Sequence, residues 1–239
     1  MPVVFITGGS RRIGKGLVHG FARKGWDVGF LYRQSRQQAL LLQNQLAGSG
    51  VKVVAEQADV SNEHELESAL TNLDALMGSP DVIVSNAGVF PRARGLQELT
   101  NSDVMQTLAV NTLPLLTIAR WYKQRPTGRI IAISSLGAHE IWKNRIEYGV
   151  SKTALVRLGE NLARTMAPTH TVNMVAPGMI AVPDDPSPAE TEVSLLHTIP
   201  MGRYGSPEDI FDAVWFFATA SPYITGQSLI VDGGYHLVR

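Results

Sequence analysis

Glu147-Tyr148-Gly149-Val150-Ser151-Lys152, with Ser135 thirteen positions before Tyr148, is the stretch whose residue types and spacing could do chemistry. Tyr148 and Lys152 are four apart, so on a helix they project from one face. An ammonium beside a phenol favours the phenolate and should pull the tyrosine below its ordinary value of about 10. A tyrosine poised in that way can give a proton to a carbonyl oxygen or take one from an alcohol. That chemistry needs a hydride carrier next to it. Tyr-x-x-x-Lys by itself is also what a solvated i,i+4 pair looks like, so its meaning depends on its surroundings.

The N-terminal stretch offers a place for the carrier. Val3-Val4-Phe5-Ile6 reads as a buried strand feeding Thr7-Gly8-Gly9-Ser10-Arg11-Arg12-Ile13-Gly14. A helix follows, with apolar Ile13, Leu17, Val18, Phe21 and Ala22 at helical spacing and Gly25 placed to end it. Glycines in such a turn let the backbone approach a pyrophosphate, whose charge is favoured at the helix N-terminus. A plain strand-to-helix turn is the bland alternative. The second strand, 27–32, ends in Tyr32-Arg33, without the carboxylate that would accept from a ribose 2′-hydroxyl. Arg11 and Arg33 could instead pair with a 2′-phosphate through charge-assisted hydrogen bonds. NADP(H) is the expected cofactor, against the alternative that Arg33 merely projects into water.

Composition narrows the classes further. The 239 residues are 44% hydrophobic and 18% charged with a formal net charge of zero. That balance suggests a globular protein and gives no footprint for nucleic acid or a membrane surface. The absence of Cys excludes disulfides, thiol catalysis and Cys-ligated metal, and the six His residues show no paired ligand spacing, so no metal site is expected. The N-terminus lacks a basic segment followed by a long apolar one, and no apolar run approaches the ~20 residues needed to span a bilayer. A soluble, cytoplasmic protein is the expectation.

Strand-like and helix-like segments alternate throughout. Residues 37–46 read as helix, 51–55 as strand, and a helix capped by Ser61 runs through Leu66, Ala69, Leu70 and Leu73. Strand 81–85 precedes one long helix over 103–123, with Pro114 as a kink. Strand 129–134, the Tyr148 helix to about Met166, strand 171–175 and strand 228–231 complete the series. This alternation predicts one α/β domain over 1–239: a doubly wound parallel sheet flanked by helices. The Pro-rich segment 183–188, with Asp184 and Asp185, reads as a solvated excursion. His139 reads as a surface position, Trp142 as pocket wall or subunit contact, and Phe211, Trp215 and Phe216 as core or interface.

Together these pieces resemble a short-chain dehydrogenase/reductase over essentially the whole chain. The matching segments are the Thr7–Gly14 loop, Asp59-Val60, Asn86-Ala87-Gly88, Asn111, Ser135, Tyr148 with Lys152, Pro177-Gly178, and Val231-Asp232-Gly233-Gly234. The resemblance implies a Rossmann-like fold and a homotetramer using its long helices as interfaces. It implies that Asp59 and Val60 lie near the adenine, and that Asn86, Ala87 and Gly88 support cofactor and sheet. Asn111 would hold a water in a proton relay through Lys152. Ser135 would steady the carbonyl oxygen, Tyr148 would be the acid/base, Lys152 would also hold the nicotinamide ribose, and the backbone around Ile180 would meet the carboxamide. The expected reaction is hydride transfer between NADPH and a carbonyl–alcohol pair, such as a 3-oxoacyl thioester or another ketone.

Two departures qualify this. Arg12 stands where the family commonly has Gly, and pteridine and dihydromonapterin reductases share an Arg there, along with a similar C-terminal segment. Those enzymes carry Asp where this chain has Ser135, so a reduced pterin is the alternative substrate. Val182 replaces a common Thr and cannot donate its hydrogen bond. A reading of another class, a regulatory protein that binds NADPH without turnover, leaves the Asn111–Ser135–Tyr148–Lys152 set without a purpose.

Overall fold

A computed structural model of the chain describes residues 1–182 and 193–238. Asp184 and Asp185 lie outside the described residues. Seven strands form one parallel sheet: β1 (Val3–Ile6), β2 (Asp27–Tyr32), β3 (Val53–Gln57), β4 (Val82–Ser85), β5 (Gly128–Ile133), β6 (His170–Pro177) and β7 (Ser228–Val231). The order is β3-β2-β1-β4-β5-β6-β7, and every registered pair is parallel. The order reverses between β1 and β4, which opens a crevice at the carboxyl edge, the place where open sheets bind ligands.

Both faces are covered, as near-continuous apolar strands require. Helices α1 (Arg12–Arg23) and α2 (Arg36–Leu46) lie on one face with α7 (Pro207–Thr219), around Leu17, Phe21, Leu42, Ile210 and Phe217. The other face carries α3 (Glu63–Met77), α5 (Leu113–Tyr122) and α6 (Ile146–Met166), around Leu70, Leu73, Ile118, Tyr122 and Leu162. Helix α4 (Asn101–Asn111) leads into α5.

Three expectations need correction. The single helix over 103–123 is two, broken at Thr112 (φ −122°, ψ −54°). Pro114 does not kink a continuous helix. It occupies the first turn of α5, where no intrahelical partner is needed for the missing N–H. The cap of α3 is Asn62, which accepts from the His64 and Glu65 amides, whereas Ser61 bonds to Asp59. In α7, Phe211 and Phe217 are buried and Trp215 packs partly buried against the same core, while Phe216 is 48% exposed, which leaves it the interface alternative. His139 is an exposed position, as expected.

Candidate active site

The first two turns of α6 bring Tyr148 and Lys152 to the carboxyl edge of the sheet, facing the end of β5. Ser135 is the residue where β5 gives way to a 3-10 turn, and its hydroxyl accepts from the Gly137 amide at 3.1 Å. The strand-end capping role and a place at the site therefore coexist. The Ser135 side chain also acts on the Tyr148 phenol and pulls its pKa down. Lys152 is buried and donates from Nζ to the Ile133 carbonyl at 2.9 Å. Burial lowers the Lys152 ammonium to about 8.

The phenol differs from expectation. Burial raises the Tyr148 pKa, and the opposing pulls come from the Ser135 hydrogen bond and the Arg145 charge. The Tyr148 residue itself is half-buried, with its ring bordering the open cleft. Lys152 Nζ lies 6.0 Å from the ring centroid, and desolvation of the phenol outweighs the lowering that the i,i+4 spacing predicts.

Asn111 ends α4 behind the site. Its Oδ1 accepts from the Val89 amide at 2.8 Å, and its Nδ2 donates to the Val89 carbonyl and to Ser151 Oγ, both at 3.0 Å. The side chain thus clamps the loop after β4 to α6. A Cβ on Gly88 would stand 3.1 Å from Asn111 Oδ1 and 3.6 Å from Lys152 Nζ, so both groups flank the space above that glycine.

One cleft of about 1150 Å³ runs from this group to the end of β2. Its walls include Gly8, Ser10, Arg11, Arg12, Ile13 and Gly14 of the glycine turn, Tyr32 and Arg33, and Asp59 and Val60. Asn86, Ala87, Gly88, Ser135, Tyr148, Lys152, Pro177, Gly178 and Ile180 line the remainder. Every expected site residue except Asn111 therefore borders a single cavity.

The turn suits a diphosphate. Gly8 has φ +66°, and a Cβ on Gly14 would meet the Gly8 carbonyl at 2.0 Å, so a tight crossing needs both glycines. Arg11 takes the N-cap position of α1 and makes no side-chain cap hydrogen bond. Thr7 Oγ1 accepts from the Asn86 and Ala87 amides, each at 2.9 Å, and Asn86 Nδ2 donates to the Thr7 and Gly8 carbonyls. Asn86 thus welds the switch point between β1 and β4. Arg12 sits in the left-handed region at φ 51°, a conformation that glycine adopts without strain and other residues rarely do.

At the far end Arg11 and Arg33 are exposed, and Arg33 Nη1 pairs with Asp59 Oδ2 at 3.5 Å. Burial would raise the Asp59 carboxyl, but Ser61 hydrogen bonds and the Arg33 charge outweigh it and hold the group below its ordinary value. Tyr32 contributes to the cleft wall while its side chain belongs to the core. Ser35, bonded to Ser10 at 2.6 Å between hydroxyls, also lines this end and went unnoticed in the sequence. So did Phe90 and Arg145 at the other end, although both flank segments that the motif had already marked. Trp142 is pocket wall. Val182 packs against the core on the α1–α7 face.

Comparison with known proteins agrees with this geometry. A family model described as enoyl-(acyl carrier protein) reductase matches residues 8–236. Carbonyl reductase family member 4 of Xenopus laevis is 33% identical over 240 residues, covering 98% of both chains. The chain belongs to the short-chain dehydrogenase/reductase family. These are oxidoreductases that bind a nicotinamide cofactor. The chain is also 32% identical to a 3-oxoacyl-[acyl-carrier-protein] reductase of Synechocystis, over 97% of this chain and 96% of that one. Among solved structures, a blue fluorescent protein from a metagenomic library in complex with NADPH superposes with a TM-score of 0.90 at 33% identity, covering 98% and 97% of the two chains. Among the described residues no helix is long and apolar enough to cross a membrane, and no group of His, Cys, Asp and Glu could hold a metal.

Proposed function

We propose that this chain is a single-domain, cytoplasmic, NADP(H)-dependent reductase that interconverts a small carbonyl compound and its alcohol. The observation that carries the reading is the convergence of the glycine turn, Ser135, Tyr148 and Lys152 on one cleft. The relative crystallised with NADPH, the Xenopus carbonyl reductase and the Synechocystis 3-oxoacyl reductase support the same cofactor and reaction.

Arg11 and Arg33 would receive the 2′-phosphate, the amides of the Gly8–Gly14 turn the diphosphate, and Arg12 an adjoining phosphate. Asp59 and Val60 would border the adenine, with Tyr32 behind it. Asn86, Ala87 and Gly88 would support the nicotinamide half, while Pro177, Gly178 and Ile180 offer backbone groups to its carboxamide. Bound there, the nicotinamide supplies the hydride. Ser135 Oγ orients the substrate oxygen by a hydrogen bond, and Tyr148 donates its proton to that oxygen. Lys152 holds the ribose and returns a proton to Tyr148. Asn111 completes the relay behind Lys152 while keeping the Val89 segment in place.

Exposed Met105, Leu113, Leu116, Ile146 and Val150 on α4, α5 and α6 support a homotetramer built on those helices. Light scattering of the purified protein tests that assembly. The function is tested by following NADPH consumption with ketones, 3-oxoacyl thioesters and dihydropterins. Turnover of a ketone or thioester is expected. Turnover of dihydropterins alone would replace the substrate class, and NADPH binding without any turnover would favour the regulatory reading.

A further inference from the structure

We infer that Phe90, held by Arg145, selects substrates whose carbonyl is attached to a flat aromatic ring. This rests on the carbonyl-reductase reading above and names its substrate class.

The acid/base stands in an aromatic corner. The Trp142 ring lies 12° from parallel to the Tyr148 ring with centroids 6.1 Å apart. The Phe90 ring is set at 85° to Tyr148 with centroids 4.6 Å apart, and at 86° to Trp142 at 6.4 Å. Both parallel rings rest on Gly137: a Cβ there would be 3.1 Å from the Trp142 ring and 3.3 Å from the Tyr148 ring. All three rings border the cleft.

Phe90 is fastened in this position. The Arg145 guanidinium lies over its ring at 4.1 Å and donates to the Pro91 carbonyl. The Arg94 amide donates to the Asn144 carbonyl at 3.1 Å, so the two loops are joined in both directions. Yet Phe90 remains 47% exposed. A half-exposed aromatic ring, pinned by a cation and set beside the proton donor, is a preformed contact awaiting an apolar surface. Aromatic pairs favour offset or edge-to-face contacts at centroid distances of about 4.5–7 Å. A ring directly bonded to the carbonyl carbon reaches such contacts while its oxygen meets Ser135 and Tyr148. A saturated ring or flexible acyl chain of similar size fills the same volume without them. The reaction balances as before: the carbonyl carbon takes a hydride from NADPH, the oxygen takes the Tyr148 proton, and the products are the 1-arylalkanol and NADP⁺.

The test compares acetophenone with cyclohexyl methyl ketone, which share the methyl ketone and differ in the ring. The parent is expected to show an aryl-to-saturated ratio of kcat/KM above about 3, the aromatic contacts being worth roughly 3- to 10-fold. Phe90→Leu should bring that ratio towards unity, and Phe90→Tyr should restore it. Arg145, a positioning residue, should behave likewise: Arg145→Met lowers the ratio and Arg145→Lys recovers part of it. Circular dichroism verifies that each variant is folded. A parent ratio near unity, or a ratio unmoved in folded Phe90→Leu, overturns the inference. If the parent reduces no carbonyl, the reductase reading fails separately. Calorimetric binding of the two ketones to the NADPH-saturated protein then decides the selection step, equal affinities overturning it.

Discussion

Lys152 donates its ammonium to the Ile133 carbonyl at 2.9 Å while standing 6.0 Å from the centroid of the Tyr148 ring. The lysine is thus tied to the strand that carries Ser135, and in this geometry it does not set the phenol's proton affinity. Burial dominates both groups, pushing the lysine down and the tyrosine up.

A consequence for stability follows from that burial. The Lys152 ammonium falls from 10.5 to about 8 in the folded chain. Between those values the unfolded chain binds more protons than the folded one, so stability rises with pH across that window. Below about 8 the buried charge opposes folding by roughly 3 kcal/mol at most. The lost hydrogen bond to Ile133 offsets about 1 kcal/mol of any gain from removing it. Lys152→Met is therefore expected to be more stable than the parent at neutral pH, with the advantage shrinking towards pH 10.5. Urea unfolding at both ends of the range measures this, and a less stable variant at neutral pH would contradict the buried-charge account.

The pH profile of alcohol oxidation should report the tyrosine's neighbours. The phenolate form accepts the proton, so activity rises with pH through the apparent phenol value. Ser135 and Arg145 are the groups that pull this phenol down against burial. Ser135→Ala and Arg145→Met are each expected to move the rising limb to higher pH, and Arg145→Lys to return it. Profiles that coincide in all variants would show that another group is being titrated.

Much of this was legible before the fold was known, because parallel strands buried on both faces leave continuous apolar runs. Val3–Ile6, buried along its whole length, coincides with its sequence expectation for that reason. The glycine turn was legible because the backbone crosses itself at Gly14, where a Cβ would meet the Gly8 carbonyl. The α4–α5 break was not, since Thr112 carries no breaker signature and Pro114 fits a first turn as well as a kink. Phe90 was hidden because nothing in its spacing tells a loop aromatic from a pocket wall. The sign of the Tyr148 shift was illegible because desolvation depends on what surrounds a group, not on its i+4 neighbour.

Cofactor preference should turn on the end of β2. Arg33 is exposed and joined to Asp59 at 3.5 Å, so it can swing to an incoming phosphate at small cost. A charge-assisted hydrogen bond is worth about 1.5–3 kcal/mol, or roughly 10- to 150-fold in affinity. Arg33→Asp should reduce the NADPH preference over NADH by a factor in that range, because the new carboxylate repels a 2′-phosphate and accepts from a 2′-hydroxyl. Fluorescence titration with both cofactors reads it directly. Equal or tighter NADH binding by the parent would remove the assignment.

The acid/base assignment makes the sharpest demand. Tyr148→Phe removes one hydroxyl and keeps the ring that packs against Phe90 and Trp142, so folding and NADPH binding should persist. Proton transfer by a positioned side chain contributes about 10²–10⁴-fold, and kcat for carbonyl reduction should fall by that factor. Ser135→Ala should also lower kcat with NADPH affinity retained, since its side chain pulls the Tyr148 pKa down and, in the proposed mechanism, its hydroxyl bonds to the substrate oxygen. Lys152→Met should differ from both by lowering kcat and NADPH affinity together, because that side chain is proposed to serve the proton relay and the ribose. Stopped-flow reduction and cofactor titration on the three variants separate these outcomes. An unchanged kcat in Tyr148→Phe would remove the phenol from the reaction, and a Lys152→Met that bound NADPH normally would confine the lysine to proton supply.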